Sequence, residues 1–449
     1  MLSRSCFLAS YLAINVLATL FCYTMQVFQE FGKLIDSRWR EANYDEHAFP
    51  SIATQALIET QLTDRVDPWE IIRWVHQTTN LPQQADIEAR FGNPPVTLYM
   101  GSRFYVDVYY WLDGTTEIHQ HSFSGAFQVL LGSSIHSRYS FAIEREINPH
   151  FIIGKLKLND VTLLTKGDIQ QIVPGSDYIH ALFHLDRPSA TITVRTKGTP
   201  AAQPQYSYKR PFIAYDPFFK DDLTARKLQT VSLLYAMKHP EADTFLEELI
   251  GNSDFQTTFM ILERAFSYLR GSDMDRLFGL SVNTNRCAAL LDRARARHGE
   301  MIDLLPPVFE EGSRLEDIVK RRGTITSEDH RFFLALLLNV SDRERLLAMV
   351  KSRFPNRRPI DIVLDWIEEL YKTKVLGSNE SNALGIDGFD DNYLFVLEGL
   401  LEGRSTTDIR ERANSEYSGE QAAAVARRVE AISERLKSSQ LLRQLLSDY

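Results

Sequence analysis

The sequence predicts a multi-domain α+β protein: a β-barrel that follows N-terminal helices and precedes a large all-helical C-terminal domain. Three observations predict it. β-Branched and aromatic runs separated by turn residues fill roughly residues 96–196. Apolar stripes of helical period dominate from about residue 221 onward. With 449 residues, the chain has length for two or three domains. A hydrophobic content of 44% against 24% charged residues excludes a disordered chain.

Elements follow in order. Residues 1–24 are an apolar segment, and 25 consecutive residues between Arg4 and Glu30 carry no charge. Three readings stand open: a membrane anchor through residues 6–28, a signal peptide, or a spurious extension before a true start at Met25. The last predicts that a chain beginning at Met25 is folded and metal-binding without the segment. Residues 25–92 read as a helical lead-in. Asp67-Pro68-Trp69-Glu70 starts one helix with an N-cap, a proline at N1 and an acid at N3.

Residues 93–200 hold the strand-like runs, among them Phe104 to Trp111, Ser140 to Ile143, Val161 to Leu164 and Ala190 to Val194. Gly, Asn-Asp and Pro-Gly signals at short intervals separate them, the pattern of a barrel or sandwich. Residues 201–220 read as a linker. Residues 221–449 are expected to form a separate, wholly helical domain packed on the barrel. Ser341 with Glu344, and Ser418 with Gln421, have capping-box spacing. Val425, Val429, Ile432 and Leu436 form one helical stripe.

Charge and cysteine content narrow the function. Lys plus Arg number 50 against 59 Asp plus Glu, a net charge of −9, which argues against a nucleic-acid partner. Lys320-Arg-Arg322 reads as a helix C-terminus. Cys6, Cys22 and Cys287 are too dispersed for a disulfide framework and suit a reducing compartment. The expected location is therefore cytoplasmic, with a membrane-anchored form as the alternative. P-loop, G-x-G-x-x-G, HExxH and G-x-S-x-G patterns do not occur as functional motifs.

The histidines carry the chemistry. Six of the eleven, His119, His121, His136, His150, His180 and His184, fall within 66 residues of the β-rich segment. His119-Gln-His121 puts two imidazoles on one face of a strand, because side chains alternate with period two. A third ligand must come from another strand, and His180, after Pro174-Gly175, is placed to supply it. His184 shares its parity and is either a further ligand or a residue that supports one. His136 and His150 read as structural or exposed.

These residues resemble the two motifs of the cupin superfamily. Gly114, His119-x-His121, Gly125 and Gly132 match the order of the first. Gly167, Pro174-Gly175, His180 and, in place of an asparagine, His184 match the second. The resemblance covers about a hundred residues and implies a jelly-roll barrel with a metal. The family's glutamate ligand falls on Gly125, so the set resembles the three-histidine, cysteine dioxygenase-type branch. A glutamate restored at 125 is accordingly expected to act as a fourth ligand. The Ser-His-Tyr set of that branch has no counterpart near Thr191, Thr193 and Arg195, which makes cysteine a doubtful substrate.

Three neutral imidazoles leave the +2 charge of a divalent metal uncompensated, which favours an anionic or chelating substrate beside dioxygen. The resemblance implies Fe(2+); imidazole alone does not select it. Arg103, Arg138 and Arg195 are candidates for holding a substrate carboxylate, with Arg90 in a looser correspondence and Tyr206 near the barrel mouth. The resulting expectation is a mononuclear non-haem metal dioxygenase acting on a small anionic substrate with O2. The alternative is a non-catalytic small-molecule sensor whose helical half is its output.

Overall fold

The computed structural model describes residues 26–112, 114–115, 117–198, 204–219, 221–269, 284–374 and 381–446. The fold is α+β, with a closed six-stranded β-barrel, helices before it and a helical region after it. The expectations for residues 1–24 lie outside the described residues. Within the described part no helix is long and apolar enough to cross a membrane.

The chain forms two compact units. The first ends at Ser140 and resumes over Asn159–Ser207; the second takes Phe141–Leu158 and the chain from Tyr208 onward. The first contains helices α1 (26–41), α2 (Phe49–Thr60), α3 (Leu62–Arg65) and α4 (Pro68–Gln77). Its strands are β1 (Pro95–Met100), β2 (Phe104–Trp111), β3 (Gly114–Thr115), β4 (Ile118–His121) and β5 (Gly125–Leu131). Strands β6 (Ser133–Asn148) and β7 (Phe151–Thr165) continue into the second unit; β8 (Ile169–Ile172), β9 (Gly175–His184) and β10 (Ser189–Thr196) complete the first.

α4 starts as its sequence dictates, with the Asp67 carboxylate accepting from the Trp69 N–H and Pro68 inside the first turn. The helical lead-in is shorter than expected and ends at Gln77. After Pro82 the Gln84 amide takes the place of a neighbouring strand, accepting from the Thr97 N–H at 2.9 Å and donating to its carbonyl at 3.1 Å. A side chain thus satisfies the edge of β1 where a helix would leave it bare.

One sheet of this unit runs β1-β2-β10-β5-β8. Its period-two alternation divides two environments. Phe104, Val106, Val108 and Tyr110 of β2, with Ala190, Ile192 and Val194 of β10, pack against α1–α4 in a core that includes Phe28, Phe31, Trp39, Phe49 and Leu57. The intervening residues, Tyr105, Asp107, Tyr109 and Trp111, point the other way. Opposite this wall, β9 pairs with β3, β4 and β6.

In the second unit, residues expected as linker supply β11 (Ser207–Lys209) and β12 (Ile213–Tyr215), and β12 pairs with β7 through Ile213 and Ile153. Described elements beyond Tyr215 are helical, from Asp222–Ala236 to Arg443–Leu446. The stripe Val425, Val429, Ile432 and Leu436 is buried as expected. The caps differ. Asp342, not Ser341, caps the helix at Arg343 by accepting from the Arg345 N–H, and the Ser418 side chain makes no cap bond. Arg321 and Arg322 lie in the last turn of the helix Leu305–Thr324, as expected of a helix C-terminus; both are buried, and Arg321 donates to the Ala383 carbonyl.

Phe104 ties the outer core together, with ring centroids 5.4 Å from Tyr99, 5.6 Å from Phe49 and 6.3 Å from Trp39. Phe104→Ala is expected to cost about 3–5 kcal/mol in urea unfolding while leaving the opposite face of β2 chemically unchanged. A cost below about 1 kcal/mol would mean that this aromatic cluster does not anchor the helices to the sheet.

Candidate metal centre

β9 places the site because it is paired on both sides. His119 of β4 lies opposite His180, and on the other edge Arg138 of β6 lies opposite the same residue. Alternation along β9 turns Tyr178, His180, Leu182 and His184 to one face. His121, two residues beyond His119, joins them across a register shift. One ring nitrogen each of His119, His121 and His180 lies within 4.8 Å of the others. The ring centroids are 4.6, 4.7 and 4.9 Å apart, and the Nε2 atoms of His121 and His180 approach to 2.8 Å.

A hydrogen bond to a carbonyl assigns the His119 tautomer. The His119 Nδ1–H donates to the Glu117 carbonyl at 2.7 Å, which leaves its Nε2 lone pair free. His180 Nδ1 and His136 Nε2 share a hydrogen bond at 3.2 Å, and the Tyr178 hydroxyl lies 3.2 Å from the same His136 nitrogen. Each bond fixes the ring by the nitrogen that does not face the cluster, the arrangement by which metal-binding imidazoles are oriented. Burial lowers the pKa of all three. For His121 and His180 the neighbouring imidazoles add to the effect, with Arg195 acting on His121 and Arg138 on His180. The rings are therefore neutral at pH 7, as metal ligation requires. This donor set, three imidazoles without a carboxylate, fits a divalent first-row metal.

His136, expected to be structural or exposed, is buried behind the site. Its pKa is pushed down to about 4, first by burial and then by Arg138. By bonding the Nδ1 edge of the His180 ring it leaves the Nε2 edge facing the cluster. Its inward orientation depends on the β6–β9 register, which sequence spacing does not contain.

The remaining candidates separate. His184 stays out of the cluster: its ring stacks on Trp111 at 4.4 Å, and its Nδ1 lies 3.0 Å from the hydroxyls of both Ser134 and Ser189. Arg103 sits on the exposed turn before β2 with its guanidinium 4.4 Å from the Tyr44 ring, and Arg90 pairs with Glu88 on the surface. Neither meets the histidines. Arg138 is exposed and lies 5.0 Å from the Tyr178 ring centroid, at the edge of the site. Arg195 lies inside, 3.5 Å from the Phe123 ring centroid, and that ring is 4.4 Å from His121. The Tyr206 carbonyl accepts from the Gln120 N–H between the two histidines of β4.

Gly125 corrects an expectation. A Cβ there would stand 2.1 Å from the Val194 carbonyl oxygen and 3.1 Å from the Arg195 Cα. The residue is glycine because β10 passes against its backbone, so a glutamate cannot be restored as a ligand without moving the strand.

No protein-family model matches the chain, and no curated protein matches it. Similar solved structures include a Thermus thermophilus protein, 16% identical over 24% of this chain and 83% of that one, with a TM-score of 0.17. A cupin superfamily protein from Desulfitobacterium hafniense is 16% identical over 27% of this chain and 97% of that one, at 0.17. Hydroquinone 1,2-dioxygenase from a Sphingomonas species, with 4-hydroxybenzoate bound, is 8% identical over 24% of this chain and 68% of that one, at 0.19. The three-histidine cluster inside the closed barrel could hold a metal ion.

The burial of His184 has a pH consequence. Its pKa is lowered to about 3 by burial, below the ordinary imidazole value near 6.5. The unfolded chain therefore binds a proton that the folded chain refuses. Stability is undiminished above about pH 6.5 and falls as pH drops from there toward about 3. In urea titrations at pH 7.5, 6 and 5, His184→Gln is expected to flatten that decline; an identical slope in both proteins would contradict it. Gly125→Ala is expected to destabilise by about 1–3 kcal/mol through the contact with Val194, and neutral behaviour would show that β10 yields there.

Proposed function

We propose that the protein is a mononuclear metal-dependent, dioxygenase-like cupin of the three-histidine, cysteine dioxygenase type. His119, His121 and His180 hold iron(II), and the substrate is a small anion that reacts with O2. The observation that supports this most directly is the convergence of three neutral imidazole nitrogens within 4.8 Å, His121 and His180 buried and His119 half-buried. When bound, the metal supplies a Lewis acid with open positions for substrate and dioxygen.

The chain's own groups complete the site. The Glu117 carbonyl keeps the proton of His119 on Nδ1, and His136 bonds the Nδ1 edge of His180, so that both Nε2 atoms face inward. Phe123 supports Arg195 beside His121, which keeps a fixed positive charge next to the ligands and favours an anion. β10 presents Thr191, Thr193 and Arg195, in place of the Ser-His-Tyr set of the thiol-oxidising branch, which argues for an anion other than cysteine. The cysteine content suits a cytoplasmic site.

A second reading rests on the helical unit, which has its own core around Leu246, Phe259, Ile261 and Phe309. In that reading the barrel is a sensor that binds the small molecule and the helices transmit the signal. The two differ in whether oxygen is consumed.

Metal analysis of the natively purified protein is the first test. One divalent ion per chain is expected, lost in His119→Ala, His121→Ala and His180→Ala variants that remain folded by circular dichroism. His136→Leu is expected to weaken metal affinity by about 10–100-fold without removing a ligand. Metal-free protein that takes up no iron, zinc or nickel would overturn the reading. Oxygen-electrode screening of thiols, amino acids and other carboxylates then separates the readings, with uptake supporting the enzyme and ligand binding without uptake supporting the sensor.

A further inference from the structure

On the wall formed by β2 and β10, the charge next to the ligands, Arg195, has a buried acidic neighbour that the metal site does not explain. Asp107 lies opposite Thr193, and Arg195 opposite Tyr105, so the two are diagonal neighbours on one face. That face also carries Phe127, which lies opposite Thr193 and whose ring is 6.3 Å from His180. The wall therefore looks onto the histidines.

Asp107 is 1% exposed. Its Oδ2 accepts from the Tyr109 hydroxyl at 2.9 Å, and the Thr97 side chain opposite it on β1 also bonds the carboxylate, whereas the buried Oδ1 is left without a well-formed hydrogen bond. The Arg195 Nε is likewise buried without an acceptor. A purely structural pair would close on itself as a salt bridge, since each group is the other's natural partner. Instead the guanidinium is held by the rings of Phe123 at 3.5 Å and Tyr105 at 5.4 Å, and the carboxylate by Tyr109 and Thr97. Buried polar atoms left unpaired on one wall are the mark of a group that arrives from elsewhere.

We propose that Asp107 and Arg195 form a recognition site on the barrel wall for a small carboxylate that also carries a hydrogen-bond donor, either a hydroxyl or an ammonium. Arg195 takes the carboxylate, for which the guanidinium fork is suited. Asp107 Oδ1 takes the donor. A carboxylate without a donor brings a lone pair toward Oδ1 and is repelled, so Asp107 acts against plain acids as much as for their hydroxy or amino counterparts. This deepens the functional reading, because it rests on the barrel interior being the small-molecule site, but it does not depend on which metal is held.

Calorimetric titration with lactate, serine and propionate tests it, on metal-loaded and on chelator-treated protein. Lactate or serine is expected to bind about tenfold more tightly than propionate, the equivalent of about 1.4 kcal/mol, in both forms. In Asp107→Asn the Tyr109 hydroxyl claims the remaining oxygen and turns the amide N–H toward the ligand, so the preference is expected to vanish or reverse. Arg195→Gln is expected to weaken all three ligands about tenfold or more and to leave metal content unchanged, which guards against misreading a poorly folded Asp107 variant. A preference seen only with metal and surviving in Asp107→Asn belongs to chelation and overturns the inference while sparing the metal reading. A preference that persists in protein unable to bind metal does the reverse. Failure of all three ligands to bind overturns the inference.

Discussion

The pairing of β9 with strands on both of its edges is the constraint on which the site depends. His180 is set opposite His119 on one side and opposite Arg138 on the other, so its ring has no freedom to leave the inner face. A one-residue slip of β9 would exchange His180 for Ile179 or Ala181 and turn the inner histidine out. The slip is opposed by burial on both faces, since Ile179, Ala181 and Phe183 are as well buried as Leu182 and His184. Register is thus secured by apolar packing, and the chemistry follows the register.

The same alternation explains how one sheet serves two purposes. On β2 and β10 the outward residues are aliphatic or aromatic and lie beneath the N-terminal helices. The inward residues include Asp107, Tyr109, Thr191, Thr193 and Arg195, all costly to bury without partners. Stability resides on the covered face, and the inner face is left free to carry polar atoms whose partners are incomplete. Burying an unpaired carboxylate oxygen costs about 1–3 kcal/mol, roughly what one well-packed aliphatic side chain returns. The helices over β2 and β10 therefore have an indirect part in the site: their packing offsets what the inner wall costs.

What the sequence made legible follows the range over which each feature is determined. The His119-x-His121 pair is local, since strand alternation alone puts both rings on one face, and the Pro174-Gly175 turn identified His180 as the start of another strand. His136 and Asp107 were missed because their roles are set across strands. Nothing near His136 in the chain says that Arg138 will lie opposite His180. Asp107 stands inside a run of aromatic and β-branched residues that reads as core, and the run is core on its other face. Gly125 was misread for a related reason. Spacing placed it where a ligand belongs, whereas the close passage of the Val194 carbonyl decides that no side chain fits there. The expected cap at Ser341 gives way to its neighbour Asp342, whose carboxylate accepts the free Arg345 N–H, while Ser418 holds the N-cap position of its helix without a side-chain bond.

Charge balance carries the argument from the site to its ligand. The imidazoles are held neutral by burial and by one another, so they contribute no charge to offset a divalent cation. Arg195 adds a further positive charge near His121, and among the described residues no carboxylate joins the three histidines in the cluster. At an effective dielectric of about 20, two unit charges about 5 Å apart interact by about 3 kcal/mol, so a cation at the histidines is opposed unless an anion accompanies it. A neutral ligand leaves that opposition intact, and a cationic one adds to it. An anion removes it, and does so best when its charge lies between the metal position and Arg195. Metal and anionic ligand should then reinforce each other's binding, each meeting less repulsion when the other is present, and by reciprocity the gain is equal in both directions.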